Sequence, residues 1–401
     1  MIEDVLVADP PADSVDAVRH RLRAFLDRHR PPTPCLVVDL PAVADRYRLL
    51  RRLFPAAVLH YAVKANPAPE VVGLLAALGA SFDVAGVAEA ELCLRAGAPA
   101  DRLSYGNTVK KASDVVRAHA LGVRVFTVDS EADLLNVAAL APGADVLCRV
   151  FAFPTAARSA FGRKFGCEPD LAAALLHRAH RLGLRARGVS FHVGTQQLDP
   201  RAWEHGIATA ARIMATLAAS GVHLTTLDLG GGLPAGYRDG APPLADYATA
   251  IGESLDRHFG SAWPEVVLEP GRAVVADAGV LRTEVVLVSR KSYEDRHRWV
   301  YLDVGRHNGL TETEDEFITY ALATARDGGP VGPVVLAGPT CDGDDVLYER
   351  NTYHLPLDLA PGDLVDVLAT GAYTASCATV GFNGFPPLPT THLGASGEPV
   401  R

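Results

Sequence analysis

Val58-Leu59-His60-Tyr61-Ala62-Val63-Lys64-Ala65-Asn66-Pro67 is an apolar run that ends on a lysine and turns at once. It reads as a strand over 58–64 followed by a helix over 68–78, and the same unit then recurs along the chain. Strands are expected at 58–64, 81–85, 103–107, 123–128, 145–151, 187–193, 225–229 and 265–269, with periodic helical stretches between them at 68–78, 86–96, 112–120, 131–140, 170–182, 202–219 and 245–258. Eight strands alternating with helices make an α/β chain. Their span suits a (β/α)8 TIM-type barrel, for which about 250 residues is typical. A doubly wound open sheet is the structural alternative. Residues 158–169 read as a long loop.

Beyond residue 272 the pattern changes. The runs 279–289, 298–304, 331–337 and 364–369 have no regular helices between them and read as a separate β-domain, joined by a strand at 35–40. The expected division is an N-terminal helical extension over 1–34, a barrel over 35–275 and a C-terminal β-domain over 276–401. Within the last, the Pro/Gly-rich stretch 381–401 reads as a tail.

Composition narrows the function classes. A net charge of −9 argues against nucleic-acid binding as the main task. No apolar run reaches membrane-spanning length. The N-terminus is acidic and then Arg-rich, without the apolar core of a signal peptide. Six cysteines lie mostly in apolar stretches, with neither paired nor metal-ligand spacing, as in a reducing cytoplasm. The expectation is a soluble cytoplasmic enzyme without a metal.

The chain has five lysines, and Lys64 alone follows an apolar strand-like run. A lysine there either snorkels to solvent or is used chemically. Used lysines have a lowered pKa and form Schiff bases with carbonyl compounds, pyridoxal phosphate above all. In a barrel, chemistry collects at the C-terminal strand ends. Those ends carry Lys64, Asp83, Asn107, Arg149, His192, Gly230-Gly231-Gly232 and Glu269. Each alone is more often a satisfied structural group; together on one rim they are hard to explain by packing. The triglycine allows backbone N–H groups to nest around phosphate, with Thr195 and Arg272 as further donors. Asp228 reads as a turn cap. Glu269 has the chemistry to face a pyridine nitrogen and favour its protonated form, or to pair with a nearby arginine. His192 suits stacking on a ring, or packing in the core.

Tyr61-Ala62-Val63-Lys64-Ala65-Asn66, Ser190-Phe191-His192-Val193-Gly194-Thr195, Leu227-Asp228-Leu229-Gly230-Gly231-Gly232 and Glu269-Pro270-Gly271-Arg272 resemble the pyridoxal-phosphate decarboxylases of the alanine-racemase fold (fold type III). Gly338-Pro339-Thr340-Cys341-Asp342, Gly371-Ala372-Tyr373-Thr374 and Phe382-Asn383-Gly384-Phe385 narrow the resemblance to the ornithine/lysine decarboxylase group, nearest its bacterial ornithine decarboxylases. The resemblance implies a homodimer with shared active sites and pyridoxal 5'-phosphate as cofactor. It implies that Lys64 carries the cofactor, His192 stacks on it and Glu269 meets its pyridine nitrogen. Gly230, Gly231, Gly232, Thr195, Arg272 and Tyr373 would hold the phosphate, with Asp83, Glu89 and Arg149 in support. Cys341 would reprotonate the substrate carbon and Asp342 grip the distal amine, both from the partner subunit, while Phe382 lines the pocket.

The implied reaction converts L-ornithine to putrescine and CO2, in polyamine biosynthesis. L-lysine, dual use or a specialised biosynthetic substrate are the alternatives, because one methylene is worth only about 1–3 kcal/mol of discrimination. Gly86-Val87-Ala88 departs from the family pattern near the ring. Of the acids in 308–316, Glu312, Asp315 and Glu316 are candidates to receive the distal ammonium, or form a solvated helix face. An amino-acid racemase of the same fold and a non-catalytic homologue are the rivals from other classes; the Cys341-Asp342 loop speaks against the first and the full set of site residues against the second.

Overall fold

The computed structural model describes residues 15–152, 157–159 and 162–400. Eight strands, Ala57–Ala62, Ser81–Val84, Leu103–Tyr105, Val125–Val128, Asp145–Arg149, Arg185–Ser190, Thr226–Asp228 and Glu265–Leu268, pair in parallel in chain order. Glu265–Leu268 returns to Ala57–Ala62, with Val267 opposite Val58, and closes the barrel. Closure excludes the open doubly wound sheet. The strands read as continuous apolar runs because side chains on both faces are covered, by the barrel interior and by the outer helices. Ser81–Val84 and Leu103–Tyr105 are buried throughout. Helix Pro169–Arg181 shows how the outer ring is made. Proline at its start needs no N–H partner, and Ala172, Leu175, Leu176 and Ala179 form a buried stripe at helical spacing.

Two local expectations change. The first barrel strand ends at Ala62, and Val63–Ala65 form a 3-10 turn that carries Lys64. The turn is held where Tyr61 donates its hydroxyl to the Asn66 carbonyl at 3.0 Å and Asn66 Oδ1 accepts the Ala68 N–H at 3.1 Å. Within the expected loop 158–169, Ala157–Ser159 is a strand antiparallel to Thr195–Gln197; residues 160–161 lie outside the described residues.

Contacts divide the chain into two units. One, Tyr47–Pro234 with Pro242–Gly271, holds the barrel. The other comprises the described residues up to Arg46, Ala235–Ala241, and those from Arg272 onward, so residues 35–46 and 235–241 lie with the β-sheet rather than with the barrel. Its sheet has eight strands: Cys35–Asp39, Gly279–Ser289, Arg298–Leu302, Leu322–Thr324, Val331–Ala337, Val346–Pro356, Leu364–Leu368 and Thr390–Leu393. Cys35–Asp39 runs antiparallel to Gly279–Ser289 and parallel to Thr390–Leu393. Part of the expected 381–401 tail therefore belongs to the sheet: its Pro-rich approach ends in the strand Thr390–Leu393, whose apolar Leu393 is buried.

Helix Val15–His29 buries Val18, Leu22, Phe25 and Leu26 and spends its arginines on ion pairs. Arg21 reaches Asp39 at 3.0 Å, and Arg23 reaches Asp366 at 2.9 Å. Residues 1–14 of the expected extension lie outside the described residues. Among the described residues no helix is long and apolar enough to cross a membrane.

Candidate active site

The C-terminal strand ends of the barrel open on a cavity of about 220 Å³. Lys64, Asp83, Asn107, Arg149, His192 and Glu269, all read from strand ends in the sequence, line it. Lys64 is half exposed rather than buried, and its Nζ lies 2.6 Å from Oδ2 of the buried Asp83. The amine is thus held by one carboxylate while remaining open to the cavity. Glu89 supports this rim from behind, accepting the Ala85 N–H at 2.6 Å; burial pushes its carboxyl up.

His192 Nδ1 accepts the Gly194 N–H at 2.9 Å, which leaves a neutral ring with its proton on Nε2. Burial, reinforced by the Arg149 and Lys64 charges, holds its pKa well below the ordinary range. Phe165 also lines the cavity, with the Arg149 guanidinium 5.1 Å from its ring centroid. Its loop position gave no periodic signal in the sequence.

Glu269 and Asp228 form a coupled pair of acids. Burial raises Glu269 well above the carboxylate range, and the nearby Asp228 and Asp83 charges add to it. Asp228 rises to about 7, chiefly through burial, although it accepts the Gly230 N–H at 2.9 Å and shares a hydrogen bond with Glu269. Two buried carboxyls in contact favour holding a proton between them. Asp228 therefore does more than cap a turn.

The triglycine is required sterically. Gly230 and Gly232 have φ of +64° and +106°, and a Cβ on Gly232 would lie 2.6 Å from the Gly194 carbonyl. A Cβ on Gly231 would sit 2.7 Å from the Glu269 carbonyl and 3.1 Å from His192 Nε2. Gly232 in turn accepts the Gln197 N–H at 2.9 Å, tying the turn to the strand that begins at Thr195. No side chain fits in this cradle, which suits close approach of an anion to backbone.

In the β-sheet unit, Arg272 is buried and its guanidinium is gripped at one end. Nη1 donates to Glu312 at 2.7 Å and to the Tyr237 hydroxyl, and Nη2 donates to the other Glu312 oxygen. The Tyr373 ring centroid lies 4.8 Å from Cζ. Nε is buried without a partner among the described residues. An orphaned buried donor beside two tyrosines is unusual, and it fits a phosphate ligand.

Cys341, Asp342 and Phe382 are brought together in the same unit. Asn383 accepts the Cys341 N–H at 2.9 Å through Oδ1 and donates to Sγ at 3.3 Å through Nδ2. His307 Nε2 lies 2.8 Å from Asp342 Oδ2, and its ring centroid 4.7 Å from that of Phe382. The Asp344 N–H and His307 hold the Asp342 carboxyl below its usual range. Neither His307 nor Asn383 was singled out as a site residue from sequence.

The acids of 312–316 differ in their surroundings. Glu316 accepts three backbone N–H groups, from Glu349, Arg350 and Asn351, at 2.6–2.8 Å. Against the effect of burial, these bonds hold its carboxyl below the usual range, and its oxygens are committed to the backbone. Asp315 projects into solvent with 91% of its side chain exposed, 3.6 Å from Arg350. Glu312 is committed to Arg272. Glu312 and Glu316 are thus engaged within the chain, whereas the Asp315 carboxylate faces solvent.

Residues 40–276 match the family model described as pyridoxal-dependent decarboxylase, pyridoxal binding domain. The chain is 38% identical over 362 residues to lysine/ornithine decarboxylase of Selenomonas ruminantium, covering 90% of each. It superimposes on lysine/ornithine decarboxylase of Vibrio vulnificus, solved with cadaverine, with a TM-score of 0.83 and 34% identity over 94% of this chain and 98% of that one. The arginine decarboxylase of Paramecium bursaria Chlorella virus, bound to agmatine, gives 0.85 and 26% over 95% and 100%.

Proposed function

The chain belongs to the pyridoxal-dependent decarboxylase family, and from that premise we propose that it converts L-ornithine to putrescine and CO2. It is a carboxy-lyase for basic amino acids with pyridoxal 5'-phosphate as cofactor. The observation that carries the reading is the single cavity in which Lys64, Asp83 and Glu269 converge. When bound, the cofactor supplies an electron sink for the charge left on Cα as CO2 departs.

The protein's own groups do the rest. Lys64 attaches the cofactor through Nζ, and Asp83 orients that amine. The Glu269–Asp228 pair holds a proton for the pyridine nitrogen. His192, neutral, offers a flat face to the ring, and Arg149 supports it. The glycine cradle, Thr195, Arg272 and Tyr373 take the phosphate. Cys341 delivers a proton to Cα and Asp342 receives the distal ammonium, both from the second subunit of a homodimer, while Phe382 lines the pocket. Six free cysteines support a cytoplasmic setting. A second reading, L-lysine to cadaverine, is favoured by the 38% identity to a lysine/ornithine decarboxylase.

The test is a panel of L-ornithine, L-lysine, L-arginine and diaminopimelate, with CO2 release and diamine detection. We expect putrescine from ornithine as the fastest reaction. Turnover of neither ornithine nor lysine overturns the substrate, and return of the opposite enantiomer without CO2 makes the chain a racemase.

A further inference from the structure

We propose that Glu312 is a positioning residue for the cofactor's phosphate: by gripping both Nη atoms of Arg272 it turns the Nε–H edge toward the anion. The proposal rests on the reading of Arg272 as a phosphate ligand.

Arg272 is 4% exposed and the Glu312 side chain 13%. The two Glu312 oxygens meet two different guanidinium nitrogens. This end-on fork fixes the plane of the group, because guanidinium and carboxylate match only when coplanar. Tyr237 takes a second Nη1 hydrogen, and the Tyr373 ring packs 4.8 Å from Cζ. What remains is the side edge, where Nε has no partner among the described residues. A buried N–H left unsatisfied is costly, a penalty that an acceptor placed on that edge removes.

Glu312 also lowers the local positive charge, which opposes binding of an anion. Orientation outweighs this. Without its carboxylate the buried cation would be uncompensated, so the side chain would shift toward other acceptors, and phosphate binding would have to reorder it.

The experiment compares the full chain stripped of cofactor with its Glu312→Gln and Glu312→Asp variants, titrated with pyridoxal 5'-phosphate and with pyridoxal, which lacks the phosphate. Glu312→Gln is expected to weaken pyridoxal phosphate about tenfold, the scale of loss seen when an orienting partner is removed, and to leave pyridoxal unchanged. Glu312→Asp keeps the charge but is one methylene too short to hold both Nη atoms, and should lose affinity in the same phosphate-specific way. It also keeps the test open if the Gln variant fails to fold. Tighter binding of pyridoxal phosphate, or an equal change for both ligands, overturns the role of Glu312. Wild-type chain that binds pyridoxal as tightly as its phosphate overturns the assignment of Arg272 itself, and the proposal with it.

Discussion

Asp228 and Glu269 set a pH signature that belongs to two side chains. Asp228 stands at about 7 in the fold against an ordinary 3.8, and Glu269 is also raised. Between those values the folded chain holds more protons than the unfolded chain, so stability falls as pH rises through that window. Chain stripped of cofactor should therefore lose melting temperature from about pH 4 to about pH 7 through this pair. Asp228→Asn, which no longer ionises, should flatten that part of the profile in thermal melts; an unchanged slope would mean the pair is not coupled. Lys64, Asp83, His192 and Glu269 could be picked out in the sequence because each interrupts an apolar strand end with a group that packing does not need. Phe165, His307 and Asn383 lie in loops, where sequence spacing says nothing about which side chains meet. For the acids of 312–316, charge type is visible in sequence but a carboxylate's partner is not.

At the scale of elements, the strand-end turns determine what the barrel can bind. Residues 230–232 are boxed in by the backbone of the neighbouring strand ends, and Gly232 sits at φ +106° with the Gly194 carbonyl in the place of any Cβ. Gly232→Ala should destabilise the fold by about 1–3 kcal/mol through strain alone, and should weaken pyridoxal phosphate more than pyridoxal. Thermal melts and the two titrations check this; a variant that melts and binds like wild type would remove the turn from the phosphate site. The eight barrel strands were legible because each is an apolar run bounded by turn residues, with its partner one helix away. Thr390–Leu393 was not. Its partner, Cys35–Asp39, lies at the other side of the barrel sequence, and a Pro-rich approach resembles a tail until the pairing is seen.

At the scale of the whole molecule, the proposed homodimer divides its chemistry between two copies. Lys64→Ala and Cys341→Ala chains should each be nearly inactive alone and recover activity when mixed under conditions of subunit exchange, because one site of the mixed dimer is then intact. Assay of CO2 release on the mixture checks this, and no recovery despite verified mixed dimers would place both residues on one chain's site. The barrel's strands follow one another in sequence with no strand of the β-sheet between them, whereas the sheet takes Cys35–Asp39 from before them and Thr390–Leu393 from after them. During synthesis the barrel strands have all emerged while Cys35–Asp39 still waits for both of its neighbours. Non-local pairing of this kind is slow and leaves a strand edge open in the interval. The nascent chain therefore carries an apolar strand with no neighbour until Gly279–Ser289 is made and with one edge still open until Thr390–Leu393 follows, and that edge is where chaperones have the most to protect.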